Sequence, residues 1–264
     1  MLFNSLCVSS SIANFNHKLR KKHVNLRSWS ILFPFGRCIF YGSYHYWDYL
    51  KVLLHRGKRT IFWCGSDILN LAISPFGQWV MTHVKADHVC ENAIEQVTLS
   101  RMGIQARIQP ALFDSEALRL PVSYQQSDTP HVFLTSHPNS DAYGVGIVES
   151  IYQKVPEVTF HIYGISGHSH DNVVYHGWVP SKVFDFEIAR YQAALRLNDF
   201  DGFSESLAKS VLMGQWPISK IFYPHIDYAP NNEILISLLK DLKNKTEDNL
   251  DGRIYWTNEL SKKI

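Results

Sequence analysis

The hydrophobic pattern alternates between short apolar runs and longer amphipathic stretches along most of the chain. The short runs RCIFYG and KRTIFW are rich in β-branched and aromatic residues, and the stretch between them, SYHYWDYLKVLLHR, repeats apolar residues at helical spacing. This alternation is typical of a parallel sheet whose strands are joined by crossover helices. The sequence therefore predicts an α/β fold.

The same pattern predicts further elements in the first half. Strands are expected at Asp87 to Cys90 and at ARIQP, and a helix from Asn92 to Met102 that is opened by an Asn cap. The first residues, MLFNSLCVSSS, contain an apolar run without a basic segment ahead of it. That arrangement favours a buried first strand over a signal peptide.

A polar stretch between about Phe113 and Pro130, with two prolines, interrupts the alternation and is interpreted as a linker. The pattern then restarts with strands at HVFLTSH, VTFHIYG, NVVYHGW, YQAALRLN and PISKIFYP, and with helices at 143–153 and 204–213. Two helical segments, NEILISLLKDLKNK and IYWTNELSKK, follow. We therefore expect a first lobe over 1–115, a second lobe over 130–225, and C-terminal helices over 226–264 that pack back across the lobes.

Composition narrows the class of protein. The chain has 264 residues, of which 45% are hydrophobic and 19% charged, which excludes disordered and fibrous proteins. Its most apolar segment, WSILFPFGRCIF, is interrupted by Pro34, Gly36 and Arg37, so no membrane-spanning helix is expected. The four cysteines include no CxxC pair, which indicates reduced thiols and a cytoplasmic location.

Charge is distributed unevenly. Residues 1–120 contain 14 Lys and Arg against 7 Asp and Glu, whereas residues 121–264 contain 12 against 17. Five cations, Lys18, Arg20, Lys21, Lys22 and Arg27, are interpreted first as a solvated helix face and second as a weak peripheral contact with membrane headgroups. A pI of about 8.3 lies below the basic range of nucleic-acid-binding domains, so no nucleic acid partner is expected.

The segment with the clearest chemistry is LRLNDFDGFSESLAKSVLMGQWPIS, residues 195–219. The pattern predicts a strand that ends at acidic residues, a glycine turn, and a helix whose first turn is rich in Ser and Glu. The N–H groups at a helix N-terminus bind phosphate and sugar oxygens well. A ligand with phosphate or sugar groups is therefore expected here.

This segment resembles the family 4 glycosyltransferases of the GT-B fold. Their usual motif is Glu-Gly-Phe-Gly, a helix with a second Glu eight positions after the first, and Gly-x-Pro-Val. Here the motif reads DGFS at 201–204 and closes with Gly214 and Pro217. Asp201 replaces the first Glu, which in the family contacts hydroxyls of the donor sugar, and Lys209 replaces the second Glu, which usually holds the ribose.

Other segments resemble the same family in the same order. IFWCGSDIL is similar to its HGTD-type loop, with Cys64 where His is common, and YHGWVP is similar to a glycine turn near the nucleobase. The segment from Lys85 to Asp114 is similar to the stretch that enters the second lobe. The resemblance implies a GT-B fold of two Rossmann-like βαβ lobes whose parallel sheets face each other across a cleft.

The resemblance also implies a reaction, namely transfer of a sugar, with retention of anomeric configuration, from a nucleoside-diphosphate sugar to a glycan or other hydroxyl acceptor. GDP-mannose is the favoured donor and UDP-glucose the next, and no metal or other cofactor is required. The protein is expected to be a monomer or homodimer. Its size admits a small virus-encoded member of the family, which would place it in the host cytoplasm.

Site residues are assigned by position relative to these motifs. The donor sugar is assigned to Asp201, Gly202, Phe203 and Ser204. The diphosphate is assigned to Glu205, Ser206, Arg196, Lys209, Ser136 and His137. The nucleobase and ribose are assigned to Tyr163, Gly164, Trp178, Val179 and Lys209. The acceptor side is assigned to Gly65, Ser66, Asp67, Tyr44 and His45.

Alternatives remain open at this point. Lys209, His137 and Cys64 replace usual family residues, which would also suit a non-catalytic nucleotide-sugar binding module. Asp199 to Asp201 has the form of the DxD metal motif of GT-A glycosyltransferases. A zinc site at His168, His170, Asp171 and His176 is disfavoured because the spacing suits no common helical site.

The aromatic cluster Tyr41, Tyr44, His45, Tyr46, Trp47 and Tyr49 is expected to lie mostly in the core, with Tyr44 and His45 exposed.

Overall fold

The computed structural model describes residues 4–137 and 143–262. The chain forms two compact units. Of the described residues, unit 1 contains those up to Ser115 together with Phe200–Phe203, and unit 2 contains those of Glu116–Asp199 and those from Ser204 to Lys262. Each unit holds one six-stranded sheet, and every strand pair in it is parallel. The predicted α/β fold with two Rossmann-like sheets is confirmed.

The sheet of unit 1 has the strand order β2-β1-β3-β4-β5-β6. Its strands are β1 (Ser5–Val8), β2 (Arg27–Ser28), β3 (Arg37–Tyr41), β4 (Lys58–Phe62), β5 (Asp87–Cys90) and β6 (Ala106–Ile108). Its helices are α1 (Asn16–Lys22), α2 (Tyr46–Leu54), α3 (Ser66–Ala72), α4 (Pro75–His83) and α5 (Ala93–Arg101). The central strands β3 and β4 are covered on both faces, which explains their continuous apolar runs.

The sheet of unit 2 has the strand order β12-β11-β10-β7-β8-β9. Its strands are β7 (His131–Thr135), β8 (Thr159–Tyr163), β9 (Val173–Gly177), β10 (Ala193–Arg196), β11 (Ile218–Ser219) and β12 (Asp227–Tyr228). Its helices are α6 (Val145–Ile151), α7 (Ser181–Ile188), α8 (Glu205–Leu212), α9 (Asn232–Asp241) and α10 (Leu250–Leu260). The helices α9 and α10 belong to unit 2, and α10 packs on α8, where Arg253 donates to the Leu212 carbonyl at 2.9 Å.

Parallel pairing gives each sheet one edge at which all strands end. In unit 1 the turns that follow β3, β4 and β5 meet at this carboxyl edge, and in unit 2 the turns that follow β7, β8, β9 and β10 do so. Ligands of open α/β sheets bind at such edges. The predicted turns at Gly65–Asp67, at Trp178 and at Asp201–Ser204 follow β4, β9 and β10 and so lie at these edges.

Most predicted elements are present, and the differences have local causes. Helices α3, α4 and α7 were not predicted, because their apolar residues lie close to turn residues and do not form a sustained helical period. The predicted strand PISKIFYP is only two residues long, Ile218–Ser219. The prediction that the aromatic cluster is mostly buried is wrong for Tyr46 and Trp47, which lie on the exposed face of α2, with Tyr46 stacked on Phe76. Within residues 4–137 and 143–262, no helix is long and apolar enough to cross a membrane.

Candidate functional site

In unit 1, a buried carboxylate fixes the turn that follows β4. Asp67 is fully buried, its Oδ1 accepts the Cys64 amide at 2.9 Å, and its Oδ2 accepts the Ser43 amide at 3.1 Å. Ser43 follows the neighbouring strand β3, so one side chain ties two loops of the carboxyl edge together. Burial raises the pKa of Asp67 to about 7. The predicted Gly65 to Asp67 turn is therefore rigid.

The two predicted acceptor-side aromatic residues are placed by the start of α2. The His45 imidazole is exposed and lies 2.7 Å, measured from Nε2, from the Ser11 hydroxyl. The Tyr44 ring is half-buried, and burial raises the pKa of its hydroxyl above the ordinary range. Asp48 Oδ2 accepts the backbone amides of both residues, at 3.2 and 3.3 Å. The prediction of exposure holds for His45 and only in part for Tyr44.

Glu91 and Asn92 directly follow β5 and were not assigned to the site by the sequence analysis. They hold the turn that contains the predicted donor-sugar residues Asp201 to Phe203. Glu91 Oε2 accepts the Phe203 amide at 3.0 Å, and the Asn92 Nδ2 group donates to the Asp201 carbonyl at 2.7 Å. The other end of each side chain is also used, since Glu91 Oε1 accepts the Ala111 amide and Asn92 caps α5. The sequence feature that could have identified them is an acidic residue and an Asn directly after a buried strand.

Two predicted glycine positions come together at this segment. A Cβ added to Gly65 would lie 2.7 Å from the Gly202 nitrogen and 3.3 Å from Asp201 Oδ1, and Gly65 itself has a φ of +87°. A Cβ added to Gly202 would overlap Glu91 Oε2. The structure thus brings the Gly65 turn and the Asp201–Gly202 turn into close backbone contact, which residues with side chains would prevent.

Four carboxyl groups, those of Asp67, Glu91, Glu95 and Asp201, interact with one another near this contact. Glu95 is buried, its Oε2 accepts the Glu91 amide at 2.6 Å, and its Oε1 makes no hydrogen bond within the described residues. Burial is the main cause that raises the pKa of Glu91, to about 8, and that of Glu95 well above its ordinary value. Repulsion among Glu91, Glu95, Asp67 and Asp201 acts in the same direction. Glu91 and Glu95 therefore hold protons at neutral pH.

This burial predicts a pH dependence of stability. A carboxyl group whose pKa is raised by folding binds more protons in the folded than in the unfolded state, from about pH 4.5 up to about pH 8 for Glu91. The free energy of unfolding should therefore fall as pH rises through this window, by at most about 1.4 kcal/mol per pH unit for each group. Glu95→Gln removes one titrating group and should make the decline shallower.

Urea unfolding followed by circular dichroism at several pH values between 5 and 8 measures this effect. The matched control is Glu233→Gln, which changes an exposed glutamate in the first turn of α9. This control should leave the slope of unfolding free energy against pH unchanged. Equal slopes for Glu95→Gln and the unchanged protein would show that Glu95 does not titrate in this window.

In unit 2, helix α8 begins where the sequence predicts a phosphate site. Ser204 is its N-cap, and the Ser204 hydroxyl oxygen accepts the Ser206 amide at 3.1 Å. Ser206 is buried, whereas Ser204 and Glu205 are partly exposed. Because α8 follows β10 at the carboxyl edge, its N-terminal amides are at the edge where ligands of this fold class bind.

The two predicted cations differ in environment. The Lys209 ammonium is 2.5 Å from Asp185 Oδ1 on α7 and Lys209 is only 6% exposed, whereas the side chain of Asp185 is 32% exposed. Arg196 is the last residue of strand β10, and its guanidinium carbon lies 4.4 Å from the ring centroid of Tyr143. Lys209 is thus held in an ion pair that the sequence did not reveal, and Arg196 lies at the carboxyl edge.

Two buried polar atoms at the same edge have no partner. Neither the Ser136 hydroxyl, which follows β7, nor Oδ1 of Asn198, which follows β10, makes a hydrogen bond within residues 4–137 and 143–262. Strands β7 and β10 are neighbours in the sheet. Buried polar groups without partners are uncommon and cost stability. A polar ligand at this edge would satisfy them, and His137, which is exposed, follows Ser136 directly.

The predicted nucleobase residues divide into buried and exposed ones. The Tyr163 side chain is buried and donates from its hydroxyl to Glu187 Oε2 at 2.7 Å, so it is part of the core. Gly164 has a φ of +90°, and a Cβ there would overlap the Ser136 carbonyl oxygen. Trp178 is 80% exposed and Val179 is half-buried. Trp178 is therefore the side chain available for stacking on a base.

Three histidines on the neighbouring strands β7, β8 and β9, namely His131, His161 and His176, form a row that the sequence analysis did not predict. His131 Nδ1 lies 2.8 Å from His161 Nε2, and His161 Nδ1 lies 2.8 Å from His176 Nε2. Burial lowers the pKa of His161 to about 3, so the row is neutral at its centre. His176 stacks on the ring of Tyr163, whose hydroxyl reaches Glu187 on α7. The row therefore fixes the helix that carries Asp185.

Side chains of the two candidate metal motifs, the His168–His176 loop and Asp199 to Asp201, pair with other charged residues. His170 Nε2 is 3.1 Å from Glu149 Oε2, and the exposed carboxylate of Asp199 pairs with Lys220 at 2.5 Å. Among the residues that the structure describes, no group of three or more His, Cys, Asp or Glu is placed to hold a metal ion.

Comparisons with solved structures identify the fold. TarM from S. aureus, in a complex with Fondaparinux, alpha-GlcNAc-glycerol and UDP, matches with a TM-score of 0.62 and 11% identity over 86% of this chain and 52% of that chain. Sucrose-phosphate synthase from Thermosynechococcus elongatus matches with a TM-score of 0.60 and 11% identity over 95% and 74% of the two chains. The trehalose 6-phosphate synthase of Burkholderia multivorans matches with a TM-score of 0.63 and 7% identity over 94% and 72%.

The matched proteins have the GT-B fold, so the predicted GT-B fold is confirmed and the GT-A alternative is wrong. No family model and no curated protein matches the sequence, and membership of family 4 and a viral origin stay predictions. The chain spans about half the length of TarM.

Proposed function

We propose that this chain, with the fold of GT-B glycosyltransferases, transfers a sugar from a nucleoside-diphosphate donor to a hydroxyl acceptor. The observation that carries the proposal is the carboxyl edge of unit 2. There the Ser136 hydroxyl, which makes no hydrogen bond within the described residues, the N-terminus of α8 and the Arg196 guanidinium lie at the ends of neighbouring strands, while Oδ1 of Asn198, which follows β10, can accept from a ligand hydroxyl. Such an edge offers hydrogen-bond donors and positive charge to a diphosphate.

The difficult part of the reaction is the negative charge that builds on the leaving diphosphate. Preorganised donors stabilise this charge more in the transition state than in the ground state. We assign this role to Arg196, the Ser136 hydroxyl and the first amides of α8, and we assign the orientation of sugar hydroxyls to Asp201. Because protein groups supply this stabilisation, we propose that transfer proceeds without a metal ion. Retention of configuration is proposed from the resemblance of the 201–217 segment to the family 4 motif.

The ribose contact is assigned to the Lys209–Asp185 pair. A carboxylate is a common acceptor for ribose hydroxyls, and Lys209 provides none. The partly exposed Asp185 carboxylate is held by the buried Lys209 ammonium, so it can accept ribose hydroxyls from a fixed position. The loss of a glutamate at position 209 is thereby compensated from α7.

The acceptor residues proposed from the sequence, Gly65, Ser66, Asp67, Tyr44 and His45, all belong to unit 1. Asp67 acts there through the backbone, because both its carboxylate oxygens accept amides of the two loops. The exposed His45 imidazole is the group able to contact a glycan hydroxyl directly.

GDP-mannose is the first donor that we propose and UDP-glucose the second. The presence of UDP in the TarM complex supports including uridine nucleotides in any donor screen.

Isothermal titration calorimetry with GDP, UDP and ADP tests the donor site. We expect one nucleoside diphosphate to bind, and Trp178→Ala to weaken its binding about tenfold, since base stacking on an aromatic ring is worth about 1 to 3 kcal/mol. Trp47→Ala is the matched control, because Trp47 is an exposed tryptophan of unit 1. Absence of binding by all three nucleotides would contradict the proposed function.

A further inference from the structure

Unit 1 carries an exposed apolar turn that the proposed reaction does not use. Ile31, Leu32, Phe33 and Phe35 occupy four of five consecutive positions and are 54–78% exposed. We call residues 30–35 the apolar turn. Isolated exposed apolar side chains are ordinary, but four large ones together mark a contact surface.

The apolar turn is held firmly at its tip and at both ends. The Phe33 amide donates to the Ser30 carbonyl, and the Leu32 amide donates to the Ser30 hydroxyl, both at 3.2 Å. Before the turn, the Trp29 amide donates to the Leu6 carbonyl at 3.0 Å and the Trp29 side chain packs on the core. After it, the Arg56 amide donates to the Pro34 carbonyl at 2.7 Å. The apolar side chains are therefore presented outward by an ordered backbone.

The position of the turn follows from sheet register. Ser5 is opposite both Arg27 of β2 and Cys38 of β3, so these strands start at the same level. The bond to Arg56, two residues before β4, places the Pro34 end of the apolar turn at the starts of β3 and β4. This amino edge is opposite the edge that carries the candidate site of unit 1.

Cations surround the turn at this edge. Arg27, Arg37 and Lys58 are the first residues of β2, β3 and β4, Arg56 lies two residues earlier, and all four are exposed. The acidic residue at a neighbouring strand start is Asp87 of β5, whose carboxylate lies 3.6 Å from the guanidinium of Arg107. The surface therefore combines a central apolar turn with a cationic surround.

We propose that this surface, defined as the apolar turn with Arg27, Arg37, Arg56 and Lys58, docks unit 1 on an anionic lipid bilayer. Apolar side chains enter the boundary between headgroups and acyl chains, and cations beside them meet lipid phosphates and carboxylates.

Other occupants fit less well. A second copy placed on the same surface by two-fold symmetry would bring the two sets of four cations together. A nucleic acid would meet the cations but leave the four apolar side chains without a partner.

Sedimentation with vesicles tests the proposal on the whole chain. We expect partition onto vesicles of phosphatidylcholine with phosphatidylserine, weaker partition onto phosphatidylcholine alone, and a decrease as salt concentration rises. Phe33→Glu should lower the partition coefficient at least about tenfold, because a charge replaces a side chain that enters the boundary region. Arg37→Ser and Lys58→Ser should each lower it about fivefold, which corresponds to about 1 kcal/mol per cation.

Matched controls come from unit 2. Phe222 is as exposed as Phe33, so Phe222→Glu should leave partition unchanged, as should Lys243→Ser. Thermal melting of each variant shows whether it is folded, and the two cation variants decide the question if Phe33→Glu does not fold. Three results would overturn the proposal: no partition, partition that all three surface variants retain, or a dimer that Phe33→Glu dissociates without any vesicle binding.

Discussion

Gly202→Ala is expected to lower sugar transfer about a hundredfold, because displacing a reacting group by about an ångström has an effect of this size. A Cβ at this position would overlap Glu91 Oε2, which accepts the Phe203 amide at 3.0 Å. The glutamate has little freedom to move, since it is buried and its other oxygen accepts the Ala111 amide. The turn that carries Asp201 must therefore shift.

The steric conflict should also lower stability by about 1 to 3 kcal/mol, the usual range for overpacking. Gly146→Ala is the matched control. A Cβ at Gly146 meets nothing within 4 Å, and the residue lies inside helix α6, so alanine should stabilise the protein by about 0.5 to 1 kcal/mol. Nucleoside diphosphate release and thermal melting measure the two effects. Equal activity in the two alanine variants would refute a positioning role for the Asp201–Gly202 turn.

Asp185→Asn should weaken nucleoside diphosphate binding about thirtyfold, which is about 2 kcal/mol and matches the loss of hydrogen bonds to a charged group. It should also destabilise the protein by about 1 to 3 kcal/mol. Lys209 is buried and would lose its charged partner, although water that reaches the partly exposed Asp185 side of the pair moderates the cost.

A double-mutant cycle separates the structural role of Asp185 from its ribose contact. In Asp185→Asn/Lys209→Met no unpaired charge is buried, so stability should return close to that of the unchanged protein. Binding should stay weak, because the carboxylate is still absent. Recovery of nucleotide affinity together with stability would mean that Asp185 only holds Lys209. Calorimetry measures the nucleotide affinity, and urea unfolding the stability, of the unchanged protein, the two single variants and the double variant.

The sequence predicted the two sheets because their central strands, among them β3, β7 and β10, are buried on both faces. That burial requires unbroken apolar runs such as the one in β3, and such runs are visible without any long-range information. Helix α7 was missed because its apolar residues do not keep to one face, since Val183 and Phe186 are exposed whereas Ile188 is buried.

Long-range partners could not be predicted from spacing. The bond between Glu91 and Phe203 joins residues 112 positions apart, and it depends on how a loop of one segment meets a strand end of another. The Lys209–Asp185 pair required knowledge that α7 is a helix. Lys209 was correctly singled out as a departure from the family pattern, but its partner became visible only in three dimensions.

The apolar segment around Phe33 shows a similar limit. From the sequence it is an interrupted hydrophobic run next to basic residues. Only the register of β2, β3 and β4, together with the hydrogen bond from the Arg56 amide to the Pro34 carbonyl, shows that Arg27, Arg37 and Lys58 share one edge of the sheet with the end of that run.

Turnover of nucleotide sugars tests the central claim most directly. The purified chain is incubated with GDP-mannose or UDP-glucose in the presence of EDTA, and NMR follows both the nucleoside diphosphate and the anomeric configuration of the released sugar. We predict slow hydrolysis of one donor with the α configuration retained, and its loss in Gly202→Ala. Nucleotide-sugar binding without turnover of either donor, with or without added Mn²⁺, would contradict a catalytic function and favour a binding module.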